Sequence, residues 1–202
     1  MLREGLDKLR QTLGDVRTRR NLLLFLIANM FYEDGLVTLF ALSGIYVSGA
    51  FGMSLAEVVM FGLVLNVAAG LGAAASGWVD DWLGSRRTVG LALAGLIMAS
   101  LAAVCVETRL WLWITGCLLG LFVGPVQSSS RSLMARLAPS DRQAEYFGLF
   151  ALSSKVTAFV GPTIAAVVTD VTGSQRTGLA TILAFLAAGF VLLASGGRDG
   201  DG

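Results

Sequence analysis

Apolar residues run along the chain in six blocks of helix length, separated by short polar or glycine-bearing connections. The blocks fall at 22–47, 57–79, 88–106, 111–135, 144–169 and 176–195. A hydrocarbon layer about 30 Å thick takes about 20 apolar residues per helix, so each block predicts one membrane crossing. The connections read as turns: Ser48 to Gly52, Asp80 to Arg87, Glu107 to Arg109, Ala138 to Asp141, and Thr172 to Ser174. The expected fold is an all-α membrane protein with a six-helix bundle over 21–195. A cytoplasmic lead-in covers 1–20 and a cytoplasmic tail 196–202. Leu2, Leu6, Leu9 and Leu13 recur at helical spacing in the lead-in. Its polar, basic start and the long apolar run that follows argue against a cleaved signal peptide.

Composition agrees. Apolar residues make up 55% of the 202 and charged residues 14%, whereas a soluble domain carries about 25% charge. Six crossings use most of the chain and leave no room for a soluble domain. No basic patch with interleaved aromatics points to nucleic acid. Histidine is absent, which removes histidine-dependent triads and histidine metal sites. No enzyme activity and no cofactor are expected; a Ser/Lys hydrolase built from Ser128, Ser129 or Ser130 with Lys155 lacks any accompanying nucleophile motif. Cys105 and Cys117 read as free thiols packed as small apolar groups.

Charge placement sets the orientation. Arg3, Lys8, Arg10, Arg17, Arg19, Arg20, Arg86, Arg87, Arg131, Arg136, Arg142 and Arg198 fall on one side of the alternating spans, and only Arg109 and Arg176 on the other. The bias of Lys and Arg towards the cytoplasm therefore puts both termini inside.

Several polar groups sit where lipid should be. Glu33 and Asp34 lie near the middle of the first span, with Asn29 and Tyr32 close by. A charged group at that depth costs about 2.5–3.5 kcal/mol on insertion scales, and a helix does not require it. A solute or proton role is the leading reading; a buried packing network is the other. Lys155, near the centre of the fifth span beside Ser153, Ser154 and Thr157, is expected to pair with Glu33 or Asp34 rather than snorkel. Gly116, Gly120 and Gly124 form a small-residue seam for close helix contact. Gln127 and Ser128 follow as cavity or packing groups, and Asn66 in the second span as a solute contact or an interhelical hydrogen bond.

The second connection reads Gly77-Trp78-Val79-Asp80-Asp81-Trp82-Leu83-Gly84-Ser85-Arg86-Arg87. With its Gly77, Asp81, Gly84, Arg86 and Arg87, it resembles the loop signature of the major facilitator superfamily, although Trp82 stands where that signature has Arg or Lys. Further pieces resemble one branch of it: Phe31-Tyr32-Glu33-Asp34-Gly35, Gly124 through Ser132, and Phe147-Gly148-Leu149-Phe150 with Lys155 and Gly161-Pro162. That branch includes autophagy-linked vacuolar amino-acid effluxers and many bacterial permeases. The resemblance covers about 21–195 and implies the carboxy-terminal half of a twelve-helix transporter, with two groups of three helices in inverted topology. It implies that the Asp80–Arg87 loop latches helices in one access state; a plain positive-inside anchor would explain the arginines alone. It also implies a secondary transporter half for a small polar, amino-acid-like solute, proton-coupled through Glu33 or Asp34. A non-transporting membrane scaffold or regulatory half is the alternative. Expected partners are the bilayer, the solute, and a second six-helix half or a second copy. The partner should meet the face carrying spans one, two, four and five, where Asn29, Glu33, Gln127 and Lys155 would otherwise stand bare, and spans three and six should be peripheral. The expected location is a multi-pass membrane protein, in the inner membrane if the source is bacterial.

Overall fold

The computed structural model describes residues 14–196. Among these, the long elements are all helices: α1 (Arg20–Phe51), α2 (Leu55–Leu83), α3 (Ser85–Cys105), α4 (Arg109–Leu137), α5 (Gln143–Val156), α6 (Val160–Thr172) and α7 (Gln175–Ser195). α5 and α6 are two pieces of one crossing, so six helical segments are long and apolar enough to span a membrane. The helices overrun the apolar blocks. α1 has 32 residues, about 48 Å at 1.5 Å per residue, well beyond the hydrocarbon layer. Hydropathy reports only the part in lipid, while the hydrogen-bonded ladder continues into the interface.

Helix ends follow local chemistry. Ser54 opens α2 with a capping box: its hydroxyl accepts the Glu57 N–H at 3.3 Å, and its own N–H donates to the Glu57 carboxylate at 2.7 Å. Gly52 and Gly173 close α1 and α6 at φ 59° and 64°, the left-handed conformation that favours glycine.

The continuous fifth span expected from hydropathy is broken. α5 stops at Val156, and Thr157, Ala158 and Phe159 form a turn before α6. Pro162 explains the position. It has no N–H to offer the Ala158 carbonyl four residues back, and its ring clashes with that carbonyl in an unbroken helix.

Packing has an internal symmetry. α2 lies against α4, as both pieces of span five lie against α1. α7 lies against α1, as α3 lies against α4, and α3 meets α7. Exchanging spans one, two and three with four, five and six maps these neighbours onto each other, as two inverted three-helix repeats require. α1 is the most buried crossing; α2 and the fifth span are the least. The α2–α4 contact is the tightest. A Cβ on Gly124 would fall 1.9 Å from the Ala69 carbonyl oxygen, and one on Gly72 2.1 Å from that of Leu121. The expected seam is thus a backbone-to-backbone contact, with Gly72 as its counterpart on α2.

Side-chain clamps fix which connections share a side. Arg109 donates to the carbonyls of Phe51 (2.9 and 3.2 Å) and Gly52 (3.1 Å) and pairs with Glu57 at 3.4 Å. Arg176 donates to the Val106 carbonyl at 3.2 Å. At the other end Arg142 pairs with Asp15 and with Glu145, and hydrogen bonds to Asp15, then Glu145, hold its pKa above the usual guanidinium range. Arg86 donates to the Leu193 carbonyl at 2.7 Å. Trp78 and Trp82 stand exposed at this end and Trp111 at the opposite one, the interfacial positions that tryptophan favours. Cys105 and Cys117 are free thiols.

Candidate functional site

The polar residues expected at the site divide into two groups. The first is buried and ties helices together. Tyr32 shares a 2.7 Å hydrogen bond with Ser130, linking α1 to α4. The Asn29 amide donates to Ser153 at 3.4 Å, linking α1 to α5. The Gly161 N–H donates to Asp34 Oδ2 at 2.9 Å, linking α1 to α6. Ser128 and Ser76 share a 2.7 Å bond between α4 and α2. Asn29, Tyr32 and Asp34 are each at most 2% exposed. The expectation that Asn29 stands bare on the partner-facing wall is therefore corrected: its position on α1 turns it into the bundle against Ser153. Each tie satisfies a polar group that would otherwise be stranded in a low-dielectric interior. Oδ1 of Asn29, Oδ1 of Asp34 and the Ser129 hydroxyl are buried without a hydrogen-bond partner.

The second group reaches the exposed side. Glu33 is half-buried, Lys155 on α5 and Arg131 on α4 are exposed, and Gln127 is half-buried one helical turn from Arg131. Asn66 on α2 is exposed, and its amide N–H donates to the Gly62 carbonyl at 2.8 Å. Glu33 interacts electrostatically with Arg131 first and Lys155 second. Lys155 makes no direct salt bridge among the described residues, but it stands within electrostatic reach of Glu33. Lys155 is exposed, in the last turn of α5. Asp34 points away, onto the start of α6. Arg131, read from sequence only as a cytoplasmic anchor, joins Lys155 as an electrostatic partner of Glu33. Its signal was available, since Gln127 and Arg131 lie one turn apart on the helix that supplies Ser130 to Tyr32.

The connection carrying Gly77, Asp81, Gly84, Arg86 and Arg87 is shorter than it reads. α2 runs to Leu83 and α3 begins at Ser85, leaving Gly84 alone between them at φ 81°. Asp80 is the buried acid: its Oδ2 accepts the Ser85 hydroxyl at 3.1 Å, and its carbonyl accepts the Gly84 N–H at 3.0 Å. Asp81, Gly77 and Arg87 are exposed. Arg86 reaches the end of α7, so the connection fastens α2, α3 and α7 at one membrane face.

Comparison with known proteins places this architecture. A family model described as "Vacuole effluxer Atg22 like" matches residues 1–196. An uncharacterized MFS-type transporter, YxiO of Bacillus subtilis (strain 168), is 29% identical over 188 residues, covering 93% of this chain and 44% of that protein. Autophagy-related protein 22 of Cryptococcus neoformans is 28% identical over 182 residues, covering 82% of this chain and 33% of the relative. The Candida glabrata protein of the same name is 25% identical over 186 residues, with 87% and 34% covered. The chain thus spans less than half the length of these relatives.

Proposed function

The chain belongs to the vacuole effluxer Atg22-like family, and from that premise we propose that it works as one half of a secondary active transporter for a small polar, amino-acid-like solute. The observation that carries this reading is the charged group of half-buried Glu33 with exposed Arg131 and Lys155, with Gln127 one helical turn from Arg131. Two cations and one anion within electrostatic reach suit a zwitterion. Its carboxylate meets Arg131 or Lys155, and its ammonium meets Glu33. Amides add orientation without charge. Charged side chains inside membrane spans are rare and mark substrate or ion pathways and proton relays.

A substrate site between two pseudo-symmetric halves needs a second half. The least buried crossings, α2 and the fifth span, lie beside α1 and α4, which carry Glu33, Gln127 and Arg131. The partner is therefore a second six-helix unit or a second copy, meeting spans one, two, four and five. Both termini face the cytoplasm in this reading, and a bacterial chain lies in the inner membrane. The Asp80–Arg87 connection serves as the latch, with Asp80 rather than Asp81 as its buried acid. Proton coupling through an α1 acid belongs to the same proposal. The alternative, a non-transporting scaffold, draws on the interhelical ties of Asn29, Tyr32, Asp34 and Ser128.

Co-reconstitution with a complementing amino-terminal half in proteoliposomes separates the two. Uptake of a zwitterionic amino acid that disappears without the partner half, and falls at least tenfold in Glu33→Gln and Lys155→Met with normal insertion, supports transport. Unchanged uptake in both variants removes these residues from the mechanism. No uptake in any combination, with a stable complex of the halves, favours the scaffold.

A further inference from the structure

The interruption of the fifth crossing at Thr157–Phe159 is met by a side chain from another helix. Asp34 on α1 accepts the Gly161 N–H through Oδ2 at 2.9 Å, in the first turn of α6. That N–H is one of the unpaired donors of a helix start, where the dipole favours negative charge. The fit is close: a Cβ on Gly161 would lie 2.2 Å from the Thr38 hydroxyl and 3.2 Å from Asp34 Cγ. Thr38 is itself occupied, donating to the Asp34 carbonyl at 2.7 Å. Asp34 is 2% exposed, and its second oxygen, Oδ1, is buried with no hydrogen-bond partner. One carboxyl oxygen holds the half-helix; the other is open to a proton.

We propose that Asp34 is a proton-binding clasp on the broken fifth span: a proton adds to Oδ1 and loosens the hold on α6, and its departure restores that hold. As a carboxylate, Asp34 makes a charge-assisted bond to Gly161, roughly twice as strong as a neutral one. Forming the O–H bond at Oδ1 cancels the charge and leaves a weaker neutral bond at Oδ2. A metal cation does not suit the place, because the positive end of α6 and the Gly161 N–H both point into it. The consequence reaches the exposed group. Lys155 is the residue before Val156, the last of α5, and its carbonyl accepts the Ala158 N–H at 3.4 Å across the break. Freedom at the start of α6 is therefore freedom of the turn that carries Lys155.

Among the described residues, no other charged side chain is bonded to the Asp34 carboxylate. On α1, Glu33 interacts with Arg131 of α4 and Lys155 of α5. α6 carries Asp170, α7 carries Arg176, and α2 carries Glu57, Asp80 and Asp81, all towards the helix ends. None of these makes an ion pair or hydrogen bond with Asp34. As a coupling step the clasp rests on the transport reading above; as a proton-operated hinge it stands apart from it, and its test needs no transport.

Carbonyl-13C valine with 15N-glycine labelling selects glycines that follow valine: Gly90, Gly124 and Gly161. In the full chain in lipid nanodiscs, the Gly161 amide resonance is expected to move with pH in a single titration while Gly90 and Gly124 stay still. Lys155 and Lys8 are the only lysines, so 13C-methylated Lys155 gives a second signal, expected to move at the same midpoint. Asp34→Asn should hold both signals at their low-pH positions; Glu33→Gln should leave the Gly161 titration in place. The wild-type titration decides the matter even if Asp34→Asn fails to fold, and Asp34→Glu, which keeps a carboxyl, then supplies the assignment through a shifted midpoint. A Gly161 signal that is flat wherever the chain stays folded overturns the clasp. So does a titration abolished by Glu33→Gln, or a Lys155 signal that never follows Gly161. A titrating Gly161 in a chain that transports nothing would sink the transport reading and keep the clasp.

Discussion

Tyr32 and Glu33 are neighbours in the chain and end in different surroundings. The 100° turn between them sends Tyr32 into the α1–α4 contact, fully buried on Ser130, and leaves Glu33 half-buried towards Arg131 and Lys155. Substitutions should separate the two roles. Tyr32→Phe should lower stability by about 0.6 kcal/mol, the average worth of an interhelical hydrogen bond in a membrane. Solute affinity should be unchanged, and a double-mutant cycle with Ser130→Ala in bicelles should return a similar coupling energy. Glu33→Gln should do the reverse, with stability intact and zwitterion affinity reduced about tenfold, as loss of one charge-assisted contact of about 1.5 kcal/mol implies. Asp80 and Asp81 form a second such pair. Asp80→Ala strands the Ser85 hydroxyl and should cost about 1–3 kcal/mol. Asp81→Ala, on the exposed side, should stay within about 0.5 kcal/mol. Thermal unfolding of the two variants side by side checks this, and equal effects would refute the assignment of Asp80 as the structural acid.

At the scale of elements, backbone approach decides how the crossings pair. Gly124 and Gly77 are both helical glycines, but a Cβ on the first meets the Ala69 carbonyl oxygen at 1.9 Å and one on the second meets open space. Gly124→Ala should therefore push α2 from α4 and cost about 1–3 kcal/mol. Gly77→Ala should be neutral or stabilising by up to about 1 kcal/mol, because alanine loses less conformational freedom in a helix. The break in the fifth crossing is a second decision at this scale. Pro162→Ala should return an N–H to the Ala158 carbonyl and extend helical 13C shifts through 157–159; shifts that remain turn-like would show that Asp34, and not proline, maintains the break.

For the whole molecule, the clamps sort the connections into two sets. Arg109 and Arg176 join the first, third and fifth connections at one end. Arg142 and Arg86 join the lead-in to the fourth connection, and the second connection to the end of α7, at the other. In a chain freed of Cys105 and Cys117, single cysteines at Asp81 and Ser140 should react with an impermeant reagent from one side only. Cysteines at Glu107 and Gly173 should react only from the opposite side. On the reading proposed above, in which basic residues collect on the cytoplasmic side, the first side is the one that should react from the cytoplasm. α3 and α7 carry none of the exposed polar group. Crosslinks from positions 66 and 127 should therefore reach a partner half, and crosslinks from outward positions on α3 and α7 should not; a dimer joined only through α3 and α7 would refute the proposed mode of association.

The order of hydrophobic and polar residues determined the number of crossings, their approximate bounds and the sorting of basic residues between the two ends, because each is a one-dimensional property of the chain. The glycine seam was legible for the same reason: steps of four residues on a helix mark one stripe. Other features required the packed bundle. Whether Asn29, Tyr32 and Asp34 face a solute or a neighbouring helix depends on which helix lies alongside α1, and hydropathy does not encode that. Asp80 and Asp81 differ by one position, and only the point where α2 actually ends makes the first the buried acid. Lys155 was expected to find an acid because isolated charge is costly in lipid; packing brings it within electrostatic reach of Glu33, and Arg131 of another helix with it. The pairing of Asp34 with the start of α6 joins residues 127 positions apart. Pro162 permits the break, but the tertiary contact brings a carboxylate to it, since only packing places a side chain of one crossing beside the free N–H groups of another.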